Sequence, residues 1–345
     1  MNVKRVLVRC DFNVPLDEKG NILDDFRIKS VLPTLNYLIE KQARTILMSH
    51  LGRPAQTPKP KIQNPNLKMD QVQNRLMEYL DLSIAKASDC VGPEIEKWTY
   101  EMQSGEILLL ENLRFHPQEK ENDESFAKEL SKLGDLYVND AFGASHRAHA
   151  SIVGVPKFLP ACAGFLLEKE IDCLSRLSHN PQKPLVAVIG GKKVDDKARV
   201  IDKISEMADF VLVGGLIQKE IDEKDIRFKY PEKIIGPVDE AGGGRDIGPE
   251  TLKLFGEKVL SAKTIFWNGP LGEIEEKEFS KGTEKLAQII IESGAYSVVG
   301  GGETVEFINQ LGLAEKFSHV STGGGALLKF LAGEVLPGLA ALNRK

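Results

Sequence analysis

Short runs of consecutive aliphatic residues alternate along the chain with longer stretches whose apolar positions recur at helical spacing. That alternation predicts βα units, in which parallel strands are covered by helices. In the first half the strands fall at Arg5–Arg9, Thr45–Ser49, Glu106–Leu110 and Leu136–Val138, with helices at Ser30–Lys41, Asp70–Leu80 and Ser125–Leu133. The second half repeats the pattern with strands at Leu185–Ile189, Phe210–Val213, Tyr296–Val299 and His319–Val320. The expected class is α/β, with two Rossmann-like domains of parallel sheet joined by a helical hinge. Pro156, Pro160, Pro181 and Pro184 flank a helical segment, Phe165–Leu177, which is long enough to connect two bodies. Residues 1–160 and 161–335 are therefore read as the domains, with the tail 336–345 packing back on the first. The Pro- and Gln-rich run Lys59–Gln63 reads as a loop.

The residues just past each strand differ in kind between the halves. In an open parallel sheet ligands sit beyond the carboxyl ends of the strands, so those residues face the ligand. The first-half strands lead to Asp11 and Asn13, to His50 and Arg53, to Arg114, and to Arg147, and Arg27 lies between the first strand and its helix. A guanidinium gives two parallel charge-assisted bonds to a carboxylate or phosphate, so several at strand ends imply a strongly anionic small ligand. The second-half strands end in Gly190-Gly191, Gly214-Gly215, Gly300-Gly301-Gly302 and Gly323-Gly324-Gly325. Glycines at a helix start let phosphate oxygens reach backbone N–H groups, where the helix dipole adds favourable charge. Lys192, Lys193 and Lys197 can bring ammonium groups to the same phosphates. Glu303 can hold Mg²⁺, which uses few carboxylates together with substrate phosphates. Neither a Walker sequence nor a dinucleotide fingerprint with its partner acid is present, which disfavours an NAD-linked dehydrogenase.

Composition narrows the classes further. Fifty acidic against 45 basic residues leave a net charge of −5 in 345 residues, too balanced for general nucleic-acid binding. No apolar run is long enough to span a membrane and Met1–Arg9 lacks a signal-peptide core, so a cytoplasmic location and no membrane partner are expected. The four cysteines are scattered without a C-x-x-C pair and read as reduced packing residues. His146 and His149 have i, i+3 spacing that would chelate a metal on a helix, but no third ligand of that kind accompanies them, and a packing or orienting role is expected.

Taken in order, V-R-C-D-F-N-V-P (Val8–Pro15), S-H-L-G-R-P (Ser49–Pro54), E-N-L-R-F-H (Glu111–His116), V-N-D-A-F-G-A-S-H-R-A-H-A-S (Val138–Ser151), G-G-K-K-V-D-D-K (Gly190–Lys197), D-I-G-P (Asp246–Pro249), W-N-G-P-L-G (Trp267–Gly272), G-G-G-E-T (Gly300–Thr304) and S-H-V-S-T-G-G-G-A (Ser318–Ala326) resemble the phosphoglycerate kinase family over nearly the whole chain. The resemblance implies a transferase of glycolysis, a phosphotransferase with a carboxyl acceptor. It would move a phosphoryl group reversibly between 1,3-bisphosphoglycerate and ADP with Mg²⁺, act as a monomer on small molecules, and close about its hinge. It implies that Asp11, Asn13, Arg27, His50, Arg53, Arg114 and Arg147 hold the phosphoglycerate. On the nucleotide side it implies Gly190, Gly191, Lys193, Lys197, Gly214, Asn268, Pro270, Glu275, Gly301, Gly302, Glu303 and Thr304, with Glu303 toward the metal. Arg27, Lys197 and the amides around Gly324 would face the transferred group. The nucleotide half is shortened relative to the family: the segment between Pro237-Val238-Asp239 and Asp246 shrinks to Glu240–Arg245, and Glu273 stands where an aliphatic is usual. A non-catalytic phosphoglycerate-binding relative is the alternative those departures leave open.

Overall fold

In the computed structural model, which describes residues 4–54, 65–191 and 197–343, the chain forms two compact units. One comprises Met1–Glu170 with Val335–Lys345 and the other Ile171–Glu334. The division falls inside a helix, α6 below, rather than ahead of it. Lys59–Gln63 lies outside the described residues.

Unit 1 is a six-stranded sheet of β1 (Arg5–Cys10), β2 (Arg44–Met48), β3 (Ala85–Lys86), β4 (Ile107–Leu109), β5 (Leu136–Asp140) and β6 (Ala161–Ala163), in the order β3-β4-β2-β1-β5-β6 and parallel throughout. Alternate residues of a strand point to opposite faces. Val6 and Val8 therefore enter one core beneath α1 (Phe26–Glu40) and α2 (Asp70–Leu80), while Leu7 enters the other with α3 (Pro93–Glu101) and α5 (Glu124–Ser131) around it, the short α4 (Pro117–Glu121) lying between those two in the chain. Burial on both faces is why these strands read as continuous apolar runs. Helix α1 buries Ile28, Val31, Leu35 and Leu38, a stripe of helical period. It begins a turn before Ser30 because the Phe26 N–H donates to Asp24 Oδ1 at 2.9 Å. Arg27 consequently lies in its first turn. The connecting helix α6 (Phe165–His179) starts on Asp140, whose Oδ1 accepts from the Leu166 and Leu167 N–H groups at 2.9 and 3.2 Å.

Unit 2 runs β7 (Leu185–Ile189), α7 (Ala198–Met207), β8 (Phe210–Val213), α8 (Gly215–Glu223), β9 (Ile234–Ile235), a hairpin of β10 (Glu240–Ala241) and β11 (Asp246–Ile247), then α9 (Pro249–Ser261), β12 (Thr264–Asn268), α10 (Lys281–Glu292), β13 (Tyr296–Gly300), α11 (Gly302–Gln310), β14 (His319–Val320) and α12 (Gly324–Leu331). Its parallel sheet has the order β14-β13-β12-β7-β8-β9. Val186, Val188, Ile265, Trp267 and Val299 pack on one face against Phe255 of α9 and Leu286 of α10. The tail helix α13 (Pro337–Leu342) belongs to unit 1, where the Gly338 N–H donates to Ser145 O at 2.9 Å.

Candidate active site

In unit 1 the strand order reverses beside β1: the chain builds outward to β2, β4 and β3, then returns to add β5 and β6 on the other flank. The carboxyl ends at such a switch point frame a ligand crevice. Asp11 and Asn13 follow β1, His50 and Arg53 follow β2, Arg114 follows β4 and Arg147 lies beyond β5. The Arg27 Nη1 donates to Asn13 O at 2.8 Å and lies 3.4 Å from Asp11 Oδ2, which fixes the guanidinium at the rim. Asn13 Oδ1 accepts from the Gly52 N–H at 2.8 Å, tying the two loops together. Arg114 Nη1 donates to Gly52 O at 2.6 Å, while its buried Nε has no partner. Among the described residues no carboxylate pairs with Arg53, Arg114 or Arg147; Asp11 is the acid that reaches Arg27.

The electrostatics follow from that crowding. Burial and the nearby Arg147 and Arg9 pull the Arg114 pKa down to about 10, still a cation at neutral pH. Arg147 is lowered by burial, against Asp11, with Arg53, Arg9 and Arg27 adding repulsion. Burial, then Arg9, Arg114, Arg147 and His149, holds His50 well below the usual imidazole range, so it is neutral. A cluster of cations that mutual repulsion disfavours is what an anion relieves.

Arg9, which sequence reasoning did not single out, organises the cluster from beneath. It is fully buried, with Nε donating to Ser151 Oγ at 2.7 Å, Nη1 to Cys10 O, and Nη2 3.1 Å from His50 Nδ1. A guanidinium can only donate, so His50 Nδ1 accepts and the imidazole proton sits on Nε2. That Nε2–H is buried and has no partner. Glu119, also fully buried, lies 3.9 Å from Arg9 and 3.6 Å from His149 Nδ1, and accepts from Ser151 N and Oγ at 2.9 and 2.6 Å. Burial opposes its ionisation, but His149, Arg9 and Ser151 outweigh it and keep the carboxyl below its ordinary range. His149 thus orients an acid. His146 and His149 do not lie on a shared helix, and the His146 Nε2 meets Arg147 Nε at 3.2 Å. Asp89, Cys90 and His116 form a compact trio elsewhere in the unit. Each already has a partner: His116 Nε2 lies 2.5 Å from Asp89, and Cys90, its thiol pushed up by burial, donates to Glu111 O at 3.0 Å.

Unit 2 gathers hydrogen-bond donors at its strand ends by other means. Its strand order reverses between β7 and β12, and the loops after those strands are locked together. The Gly190 N–H donates to Asn268 O at 2.9 Å and the Gly191 N–H to Pro270 O at 2.7 Å. A Cβ on Gly190 would strike the Pro270 carbonyl, so only glycine permits this approach. Gly269 is held from both ends, its N–H donating to Thr304 Oγ1 and its carbonyl accepting from Trp267 Nε1, each at 2.9 Å. Lys197 Nζ donates to Gly190 O and lies beside Gly191 and Gly269. The first turns of α11 and α12 converge here. A Cβ on Gly324 would stand 3.6 Å from Gly301 Cα and 3.7 Å from Gly302 N, and one on Gly301, at φ +99°, 3.1 Å from Asn268 Nδ2. That Nδ2 is buried without a partner, and first-turn amides of a helix lack intrahelical acceptors. Ammonium, amide and helix-dipole donors thus share one small volume.

The structure therefore brings together Gly190, Gly191, Lys197, Asn268, Gly301, Gly302 and Gly324, with Gly214 close enough to Gly190 that a Cβ on it would stand 3.4 Å from Gly190 Cα. Pro270 and Thr304 shape the loop rather than face outward, and Glu275 and Glu303 are exposed. Lys193 lies outside the described residues. Glu303, in the first turn of α11, has no ion pair among the described residues, which suits an acid that shares a divalent cation with phosphates. A separate cavity of about 630 Å³ between the hairpin, α9 and α10 is lined by Ile247, Leu252, Phe279 and Ile289 with Lys253 and Lys285, and none of the strand-end glycines reaches it.

The chain resembles known proteins along its length. The profile of the family described as phosphoglycerate kinase matches residues 1–224 and 220–334; the join falls at the end of α8. A phosphoglycerate kinase from Pelotomaculum thermopropionicum is 43% identical over 386 aligned residues, covering 99% of this chain and 97% of the relative. The alignment is longer than the 345 residues of this chain, so the relative carries segments absent here. Among solved structures, phosphoglycerate kinase from Pyrococcus horikoshii OT3 is 33% identical with a TM-score of 0.87, covering 98% of this chain and 96% of that one. The enzyme from Coxiella burnetii is 34% identical with a TM-score of 0.79, covering 99% and 96%.

Proposed function

The chain belongs to the phosphoglycerate kinase family, and on that premise we propose that it transfers a phosphoryl group reversibly between 1,3-bisphosphoglycerate and ADP, giving 3-phosphoglycerate and ATP, in glycolysis. The observation that carries the reading is the pair of buried donors without acceptors, His50 Nε2–H among arginines and Asn268 Nδ2 among helix-start amides. Each is arranged as a site for an oxyanion would be, and phosphoryl transfer needs two such anions.

Transfer toward 1,3-bisphosphoglycerate forms a bond from the 3-phosphoglycerate carboxylate oxygen to the γ-phosphorus of ATP and breaks the bond to the β,γ-bridging oxygen, leaving ADP. The attacking oxygen is already ionised, so no general base is required. The work left to the protein is positioning and neutralising spread charge. Asp11, Asn13, His50, Arg53, Arg114 and Arg147 hold the phosphoglycerate, with Arg27 at the rim toward the moving group. Lys197 and the amides at Gly324 receive its oxygens from the nucleotide side. Mg²⁺, when bound, neutralises nucleotide phosphate charge, and Glu303 would hold it. Donor and acceptor are carried on different units, so turnover requires them to meet with water excluded; α6, which runs from one unit into the next, is the segment proposed to bend. The protein is further proposed to work as a cytoplasmic monomer.

The test is a coupled assay with 3-phosphoglycerate, ATP and Mg²⁺ on the parent and on Lys197→Ala. Turnover in the parent that vanishes in the variant supports the reading. Phosphoglycerate binding without turnover under any nucleotide contradicts it.

A further inference from the structure

None of the roles above falls to Asp89, Cys90 or His116, yet their three groups are chemically those that bind a soft metal ion. One carboxylate oxygen, the thiol sulfur and one imidazole nitrogen all lie within 4.8 Å of one another. Two loops supply them. Asp89 and Cys90 follow β3, and His116 closes the turn after β4 that also carries Arg114. The Glu111 N–H donates to Asp89 O at 3.3 Å and the Cys90 thiol to Glu111 O at 3.0 Å, so the loops are fastened to each other. The Cys90 N–H donates to Asp89 Oδ1 at 2.6 Å, and His116 stacks on Phe126 with ring centroids 5.0 Å apart. Each ligand is thus oriented by a neighbour, as the ligands of metal sites are.

Exposure is graded across the trio. Cys90 is fully buried in the apolar cluster with Leu113 and Phe126, the His116 side chain is 24% exposed and that of Asp89 55%. An ion entering from solvent meets the carboxylate and imidazole first and the sulfur at the bottom, with a fourth position left on the open side for water. Ligand atoms around a tetrahedral zinc ion stand about 3.3–3.6 Å apart. Rotation of the exposed Asp89 side chain supplies the adjustment, opening its 2.5 Å contact with His116 Nε2. Charge agrees with geometry, because one thiolate and one carboxylate balance a dication. Burial, Asp89, Glu111 and Glu119 push the thiol up, and the acids that oppose a lone thiolate favour a cation beside it. Glu111 is spent on Lys86 and on the Met69 and Asn112 N–H groups, which leaves Asp89 as the carboxylate for a ligand.

We propose that Asp89, Cys90 and His116 bind a thiophilic divalent cation of the zinc class, which ties the loop after β3 to the turn bearing Arg114. On binding, the thiol proton leaves to solvent and the imidazole offers Nε2, its own proton carried on Nδ1. Mg²⁺, a hard ion that prefers oxygen ligands, does not compete. The test uses the full chain without nucleotide and with excess Mg²⁺. Co²⁺ titration is followed by thiolate charge-transfer and d–d absorption, and Zn²⁺ affinity by competition with a chromophoric chelator. The expected result is one ion per chain, with a thiolate band that Zn²⁺ abolishes. Cys90→Ser, which keeps a donor to Glu111 O and loses the soft ligand, removes the band. His116→Gln and Asp89→Asn, at partly exposed positions, weaken Zn²⁺ by at least about tenfold, since even a change behind the ligands costs that much. These two carry the test if Cys90→Ser does not fold. No thiolate band at saturating Co²⁺, or a band and affinity indifferent to the substitutions, overturns the proposal and shows the trio to be a hydrogen-bonded lock between two loops.

Discussion

The two units are suited to one task, holding an anion at the end of a parallel sheet, through opposite materials. Unit 1 uses long side chains whose charges repel one another and are held in place by a buried acid and a neutral imidazole beneath them. Unit 2 uses backbone amides that need no support beyond close contact of glycines, with Lys197 as its described cation. The first kind of site is broken by removing atoms, the second by adding them. Electrostatic repulsion stored in the arginine cluster makes it dependent on burial and pH, whereas the amide cluster depends on steric clearance.

The largest effect is expected at Arg9. Arg9→Met leaves Glu119 charged in a dry interior, and truncating one partner of a buried pair costs about 3–5 kcal/mol. Urea unfolding should show that loss, and Glu119→Gln on the same background should recover part of it. Next is Arg27→Ala, where loss of a donor to developing charge should lower kcat by about 10²–10³-fold with an unchanged unfolding midpoint, read by steady-state kinetics alongside denaturation. Gly324→Ala gives the mirror-image result for unit 2. Its Cβ makes ordinary contacts, so stability should hold or rise by up to about 1 kcal/mol, yet the methyl crowds the amides and kcat should fall roughly tenfold.

The smallest effect is in the pH dependence of stability. His50 is held neutral by burial and by Arg9, Arg114, Arg147 and His149, against Asp11 at 3.9 Å. Below the ordinary imidazole pKa of about 6.5 the unfolded chain takes a proton that the folded chain refuses, so stability falls as the solution is acidified. Asp140 works the other way. Burial raises it to about 6, the folded state keeps its proton longer than the unfolded one, and stability is lost as pH rises from about 4 toward 6. Urea midpoints between pH 4 and 7 should lose their low-pH fall in His50→Gln and their opposing rise in Asp140→Asn.

Much of this architecture is legible in the residues themselves. The buried parallel strands announce themselves as aliphatic runs, and Leu185–Ile189 and Phe210–Val213 fall where their composition puts them. Strands β3 and β9, with two residues each, carry no periodicity to detect. The start of α1 depends on Asp24, whose capping role at one residue's remove resembles an ordinary acidic loop. The strand-end arginines are legible because residues that follow the strands of a parallel sheet are where a ligand site is expected. Arg9 was harder to see, although a cation inside Val6–Cys10 is itself a signal, since a buried guanidinium must be paired. Its partner Glu119 sits in a short charged helix that reads as surface. The Arg245–Glu273 ion pair links residues from two separate loops, and only the tertiary structure joins them.

If the two anion sites are built from such different materials, they should also fail independently. Titration calorimetry of 3-phosphoglycerate and of ADP into the parent and into Arg114→Ala/Arg147→Ala tests this most directly. Loss of two charge-assisted contacts should weaken 3-phosphoglycerate by roughly a hundredfold or more and leave the ADP dissociation constant within about twofold, the change left to a site with no shared partner. Equal weakening of both ligands, or undiminished affinity for 3-phosphoglycerate, would contradict it.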